Sequence, residues 1–253
     1  MREDMDPKLK ILGVIPARYD STRLPGKVLR NIAGKPMIYR VYHNGRQSGL
    51  LTDLLVATDS DKVLRYCESE GIPVILTGTH PSGTDRLREV MERVEADIYI
   101  NIQGDEPTLR PEHLAAVVSP FLTGAPGVQV STLKVAIDEA AAREPGNVKV
   151  VTDDSGRALY FSRHAIPFDR DGAGVRRYKH IGLYAYTKAA LALFHSLPES
   201  SLESAEKLEQ LRFLQNGVPI HVVETPYDTV GVDTEADLQR VELLLSGPGH
   251  VGE

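Results

Sequence analysis

Three basic residues, Arg18, Arg23 and Lys27, follow the short apolar run Ile11–Ile15 at spacings of five and four. Seven Lys/Arg and one acidic residue, Asp20, lie between Arg18 and Arg46, in a chain of formal net charge −6. Strand, basic glycine-containing loop and helix in succession is a common way to hold phosphate. Arginine offers a planar fork to phosphate oxygens and lysine a compact point charge. Gly26 lets the backbone come close to a ligand. The loop matches neither the Walker A sequence nor G-x-G-x-x-G, so it implies an anion without naming it. Its alternative is a surface loop with solvated charges. A second cluster, Asn101-Ile102-Gln103-Gly104-Asp105-Glu106-Pro107, places two carboxylates on a glycine turn. That suits Mg²⁺, usually held by one or two carboxylates plus phosphate oxygens. Asp105 or Glu106 could instead cap the next helix. Opposite a cationic loop, the metal role for Asp105 is preferred. Asp233, in Val230-Gly231-Val232-Asp233-Thr234-Glu235, fits two roles equally: second metal ligand, or N-cap of the last helix, where Thr234 and Asp237 form a capping arrangement.

Other chemistries find no support. The single cysteine, Cys67, cannot form an internal disulfide or a cysteine zinc site, and reads as a packed apolar residue. No histidine pair has metal-ligand spacing and no G-x-S-x-G elbow occurs. The acidic balance argues against nucleic acid as a partner. Charge is polarised: from His195 onward eleven Asp/Glu face three Lys/Arg. No apolar run approaches the ~20 residues of a membrane span, and the charged N-terminal segment lacks a secretory signal. A cytoplasmic location is the expectation.

The elements that must position these groups alternate through the first half. Strands are expected at 10–16, 53–58, 73–77 and 97–103, and helices at 35–48, 60–71, 84–95 and 111–122. This order implies a mostly parallel sheet flanked by helices. Ligands then bind outside the carboxyl ends of the strands, where Asp59, Ser82, Gly83 and Gln103 join the two clusters. After about residue 129 the pattern becomes β-rich: strands at 129–135, 147–152, 157–162, 179–186 and 219–224, with a turn at Asp153-Asp154-Ser155-Gly156. Residues 169–177 read as a polar, mobile loop. Helices are expected at 204–216 and 234–246. In the first of these, Leu208, Leu211 and Leu214 share one face and Glu206, Glu209, Gln210 and Phe213 lie opposite. The default reading is a leucine core stripe with a solvated polar face. No linker divides the chain, so one α/β domain is expected, with residues 10–128 as the nucleotide-binding half and 129–246 as a smaller β-rich embellishment.

The run from Pro16 through Ala17, Arg18, Arg23 and Gly26 to Lys27 resembles the nucleotide loop of the sugar-acid cytidylyltransferases. Ala57-Thr58-Asp59, Ser82-Gly83-Thr84-Asp85-Arg86, Asn101 to Pro107, Tyr160-Phe161-Ser162-Arg163, His180-Ile181-Gly182-Leu183-Tyr184, Leu208-Glu209-Gln210-Leu211-Arg212 and Gly231-Val232-Asp233-Thr234 continue the likeness in order. Members acting on 3-deoxy-manno-octulosonate fit best; a relative using an 8-amino sugar acid or sialic acid would keep most of these residues. The resemblance implies a Rossmann-like nucleotidyltransferase fold and a homodimer. It implies transfer of CMP from CTP to the sugar acid with Mg²⁺ as cofactor, a step feeding lipopolysaccharide synthesis. By the same resemblance Arg18, Arg23 and Lys27 hold the triphosphate. Pro16, Ala17, Asp59, Ser82, Gly83 and Gln103 line the nucleotide, and Asp105 and Asp233 bind metal. Arg163, His180, Tyr184, Glu209 and Gln210 face the sugar, and the later half also carries the dimer contact. Asp85 departs from the pattern, where Glu is as readily expected.

Overall fold

The computed structural model describes residues 9–21 and 23–246. The N-terminal segment on which the expectation of no secretory signal rests, and Thr22 of the basic loop, lie outside them. The chain forms two compact units. One runs to Pro107 and resumes at Gly231; the other is Thr108–Val230.

The first unit is built on four parallel strands: β1 (Ile11–Pro16), then, after the short hairpin β2 (Asn31–Ile32) and β3 (Lys35–Pro36), β4 (Asp53–Thr58), β5 (Val74–Leu76) and β6 (Ile98–Asn101), in the order β6-β1-β4-β5. Helices α1 (Met37–Arg46), α2 (Asp61–Ser69) and α3 (Gly83–Arg93) cross between them. Strand β1 is buried from Ile11 through Ile15, as its uninterrupted apolar run requires of a central parallel strand. Each large side chain so buried contributes ~1.5–3 kcal/mol relative to exposure. The first helix starts at Met37 rather than Lys35, because Lys35 and Pro36 pair with Asn31 and Ile32. Cys67 is buried in α2, and burial pushes its thiol up to about 11.

The second unit opens with α4 (Pro111–Leu122). Strand β7 (Val130–Ile137) comes next, then α5 (Glu139–Arg143), β8 (Lys149–Thr152), β9 (Ala158–Ser162), β10 (Arg177–Thr187), α6 (Lys188–Ser196), α7 (Ser201–Glu206), α8 (Leu211–Gln215) and β11 (His221–Glu224). β7 pairs antiparallel with β10 and parallel with β11; β8 pairs antiparallel with β9 and β10. Helix α9 (Glu235–Ser246) returns to the first unit, where Arg30 holds Glu235 at 2.8 and 2.9 Å.

The α/β class and mostly parallel central sheet agree with the sequence reading. The division between units falls at 107/108 and 230/231 rather than near 129, because α4 packs on β7, β10 and β11. The single helix expected at 204–216 is two. Lys207 adopts φ 55 and ends α7, and Leu208–Gln210 form a turn before α8. The break changes the faces: Phe213 joins Leu208 and Leu211 in the core. The loop at 169–177 is organised by Asp169, whose carboxylate accepts from the amides of Ala173, Gly174 and Val175 at 3.0, 2.8 and 3.2 Å. These bonds hold its pKa below the usual range.

Candidate active site

β1 ends at Pro16, and the Ala17 amide still donates to the Ala57 carbonyl at 2.8 Å, so the basic loop leaves the sheet from a fixed point. The loop closes where the Gly26 amide meets the Tyr19 carbonyl at 3.1 Å. Gly26 has φ 66 and lies against the Tyr19 ring, a conformation that favours glycine. A 3-10 turn, Lys27–Leu29, comes next and fixes Lys27. Its side chain is only 13% exposed, and its Nζ lies 2.7 Å from Asp105 Oδ2 and 3.0 Å from Asp233 Oδ1. Burial lowers the Lys27 pKa, but the two carboxylates outweigh it and the net shift is upward. Arg23 meets the other Asp233 oxygen at 3.1 Å from an exposed position. Arg18 is exposed.

Backbone contacts bring the two aspartates together. The Ile102 amide bonds the Val14 carbonyl at 2.9 Å, extending β6 past its end. A Cβ on Gly104 would come within 2.8 Å of the Pro16 carbonyl, so only glycine lets the 103–107 turn pass this close to β1. The Val232 amide donates to the Asp105 carbonyl at 2.9 Å and lays the 231–233 segment alongside. Neither aspartate caps a helix. Arg110 is the N-cap of α4. At α9, Thr234 Oγ1 accepts from the Asp237 amide at 3.2 Å, and the Asp237 carboxylate accepts from the Asp233 and Thr234 amides. The Asp233 carboxylate is thereby left to Lys27 and Arg23.

Asp59, at the end of β4, is gripped by Arg86 at 3.0 Å. Arg86 is 1% exposed and also donates to Thr77 Oγ1 and the Gly78 carbonyl. The sequence reading gave this residue no role of its own, although its place one helical turn from Ser82 was visible. Ser82 is the N-cap of α3: its hydroxyl accepts from the Asp85 amide at 3.1 Å and donates to the Asp85 carboxylate at 2.8 Å. Aspartate has the reach for this pairing. Gly83 lies against Pro16 and Asn101. Gln103 is half-buried, and its carbonyl accepts from the Glu106 amide.

In the second unit the β7/β10 register shifts between Ile181 and Tyr184. The His180 and Tyr184 rings lie 5.3 Å apart, and Phe161 stands 5.0 Å from His180. Thr132 Oγ1, another group the sequence reading missed, is 3.0 Å from His180 Nε2 and within 3.1 and 2.8 Å of the Ile181 and Leu183 carbonyls. With the hydroxyl hydrogen on a carbonyl, Nε2–H is the donor and Nδ1 the open acceptor. Desolvation, helped by Lys179, pushes the His180 pKa down to about 3. Burial raises the Tyr184 hydroxyl far above its usual range. Both groups are neutral at physiological pH. Arg163 donates to the carbonyls of Glu206 (2.8 Å), Pro145 (3.2 Å) and Lys207 (3.5 Å). Glu209 and Gln210 are half-buried in the turn before α8.

Below about pH 6.5 the unfolded chain takes up a proton that folded His180 refuses until about 3. Stability therefore falls with pH across that window, and His113, also depressed by burial, adds to the slope. His180→Gln removes one proton from the difference, flattening urea-derived unfolding free energy by up to about 1.4 kcal/mol per pH unit between pH 6 and 4. An unchanged slope rules out a neutral His180.

The model of the cytidylyltransferase family matches residues 12–221. A 3-deoxy-manno-octulosonate cytidylyltransferase of Acidobacterium capsulatum is 56% identical over 239 residues, 94% of this chain and 97% of that protein. The Escherichia coli protein of the same name is 46% identical over 94% of this chain and 96% of its own length. A solved CMP:2-keto-3-deoxy-manno-octonic acid synthetase complexed with CTP superposes with a TM-score of 0.90 at 46% identity, covering 94% of this chain and 98% of that one. A putative glucose-1-phosphate thymidylyltransferase from Bacillus anthracis shares the fold, with a TM-score of 0.66 at 18% identity over 96% of each chain. With its basic loop, paired aspartates and nearly full-length likeness, the chain belongs to the cytidylyltransferase family.

Proposed function

We propose that the chain transfers the cytidylyl group of CTP to 3-deoxy-manno-octulosonate and releases diphosphate. The observation that carries this reading is the Lys27 ammonium held between Asp105 and Asp233 at the end of β1. Two carboxylates already converge there on one positive charge, the arrangement a divalent cation needs. Among the described residues no group of three His, Cys, Asp or Glu could hold a metal. The protein would thus supply two carboxylates and substrate phosphates the remaining oxygens, as Mg²⁺ prefers. Bound there, Mg²⁺ would withdraw charge from the α-phosphate and acidify the attacking hydroxyl.

The chain's own residues mainly position and neutralise. Arg18, Arg23 and Lys27 would balance charge on the β- and γ-phosphates. Ser82, Gly83, Asp59 and Gln103, with Pro16 and Ala17, would hold base and ribose. In the second unit Arg163 would take the sugar carboxylate through N–H groups its three carbonyl bonds leave available. His180 Nδ1, Tyr184, Glu209 and Gln210 would orient the sugar hydroxyls. The sugar oxygen bonds to the α-phosphorus as the α–β bridging bond breaks; the hydroxyl proton passes to solvent and diphosphate leaves with the electron pair. We further assign the product to lipopolysaccharide assembly, the location to the cytoplasm and the working form to a homodimer. No helix among the described residues is long and apolar enough to cross a membrane.

Diphosphate release from CTP, UTP, ATP and GTP, each with 3-deoxy-manno-octulosonate, its 8-amino analogue or sialic acid, tests the reading. Release is expected with CTP and the first sugar at least tenfold faster than with any other pair. Faster turnover of another pair, or none at all, overturns it.

A further inference from the structure

Lys149 is fully buried, at 0% exposure, on β8. Its ammonium donates to three main-chain carbonyls: Glu144 at 3.0 Å, Asn147 at 2.5 Å and Arg163 at 2.5 Å. These bonds use all of its donors. Desolvation, with Arg163 nearby, lowers its pKa. Burying a charge is unfavourable, and a methionine of similar length would fill the space without that cost. What only an ammonium can do is gather carbonyls that point at one spot.

Those carbonyls belong to the backbone that carries the proposed sugar-acid residues. The 144–147 loop also supplies the Pro145 carbonyl that Arg163 Nη1 donates to. The next carbonyl, Val148, accepts from the His180 amide at 2.8 Å. On the far side of Arg163, Glu206 accepts from the Ser162 hydroxyl at 2.6 Å and the Arg163 amide at 2.9 Å. That tie sits immediately before the Lys207 turn leading to Glu209 and Gln210. Lys149 thus fixes the Arg163 backbone from below, while the loop it organises fixes the guanidinium from the side.

We propose that Lys149 is a positioning residue for recognition of the sugar-acid carboxylate, acting through Arg163. This rests on the second unit binding the sugar acid. A displacement of Arg163 by an ångström would suffice, since misplacement on that scale costs about 10²-fold in rate.

The test is a double-mutant cycle in the intact protein, with KM for each substrate, kcat and melting temperature measured for Lys149→Met, Arg163→Ala and the double variant. Arg163→Ala is expected to raise KM for the sugar acid about 30-fold, and Lys149→Met about tenfold, with KM for CTP within twofold of wild type. The double variant should be no worse than Arg163→Ala alone, because the two act in series. Lys149→Arg, which retains a cation, should recover part of the loss, and Lys149→Gln serves if the methionine variant does not fold. An unaltered sugar-acid KM in Arg163→Ala overturns the assignment of the sugar site itself. A normal Arg163→Ala loss with Lys149 effects that multiply it, or that fall equally on both substrates, overturns the Lys149 proposal alone. Failure of every Lys149 variant to fold does the same, making Lys149 a stability residue.

Discussion

Asp105→Asn should reduce diphosphate release about 10³-fold at limiting Mg²⁺, a loss of about 4 kcal/mol of transition-state stabilisation. The substitution preserves shape and removes one negative charge. The 103–107 turn is set by main-chain contacts to Val14 and by the close approach of Gly104 to Pro16, neither of which involves the side chain. Any loss therefore reports on charge. With the proposed cation held by Asp233 alone, the apparent Mg²⁺ requirement should rise, and saturating Mg²⁺ should restore part of the rate. Titrating Mg²⁺ against rate for both proteins separates this from a loss of fold. Equal turnover at limiting Mg²⁺ would remove Asp105 from the metal site.

Lys27→Met should move two observables in opposite directions. Turnover should fall about 10²–10³-fold, since the cation proposed to balance the departing diphosphate is lost. Metal affinity without nucleotide should rise. In the wild-type protein the ammonium stands between Asp105 and Asp233 at 2.7 and 3.0 Å, where a divalent cation would have to enter. Two unit charges this close interact by about 6 kcal/mol at the effective dielectric of a protein surface, so removing the ammonium exposes considerable negative potential. Arg23 still contacts Asp233 and moderates the gain. Mn²⁺ binding measured by electron paramagnetic resonance, without CTP, should tighten at least tenfold. Affinity equal to or weaker than wild type would show that Lys27 does not stand in for the metal. The expected physical consequence is coupling: phosphate drawing Lys27 toward itself would free the carboxylates, so nucleotide and metal would favour each other's binding.

Much of this arrangement was legible in the order of residues. The apolar run Ile11–Ile15 could only be a central strand, and the loop leaving such a strand lies at its carboxyl end. Arg23 and Lys27 were therefore placed from local pattern, as was the turn carrying Asp105. The break at Lys207 was not legible, because residues 204–216 have helical spacing throughout, whereas Glu206, just before the φ of 55, is tied to Ser162 and Arg163 far away in sequence. Resemblance placed Arg163 facing the sugar, but nothing local showed that its guanidinium is held by the carbonyls of Pro145, Glu206 and Lys207, distant in sequence. Lys149, one lysine among β-branched residues, carried no signal in one dimension.

By itself the sequence determined which chemistry was available: a cationic loop, two carboxylates and a strand order that sends their loops to one rim. Those properties depend on residue type and on periodicity over a few residues. Only the tertiary structure decided between equal alternatives. Asp233 could have been helix cap or second metal ligand, and the cap role is excluded because Thr234 and Asp237 cap α9 while the Val232 amide, bonded to the Asp105 carbonyl, lays Asp233 beside Asp105. That contact joins positions more than a hundred residues apart, and no local preference encodes it.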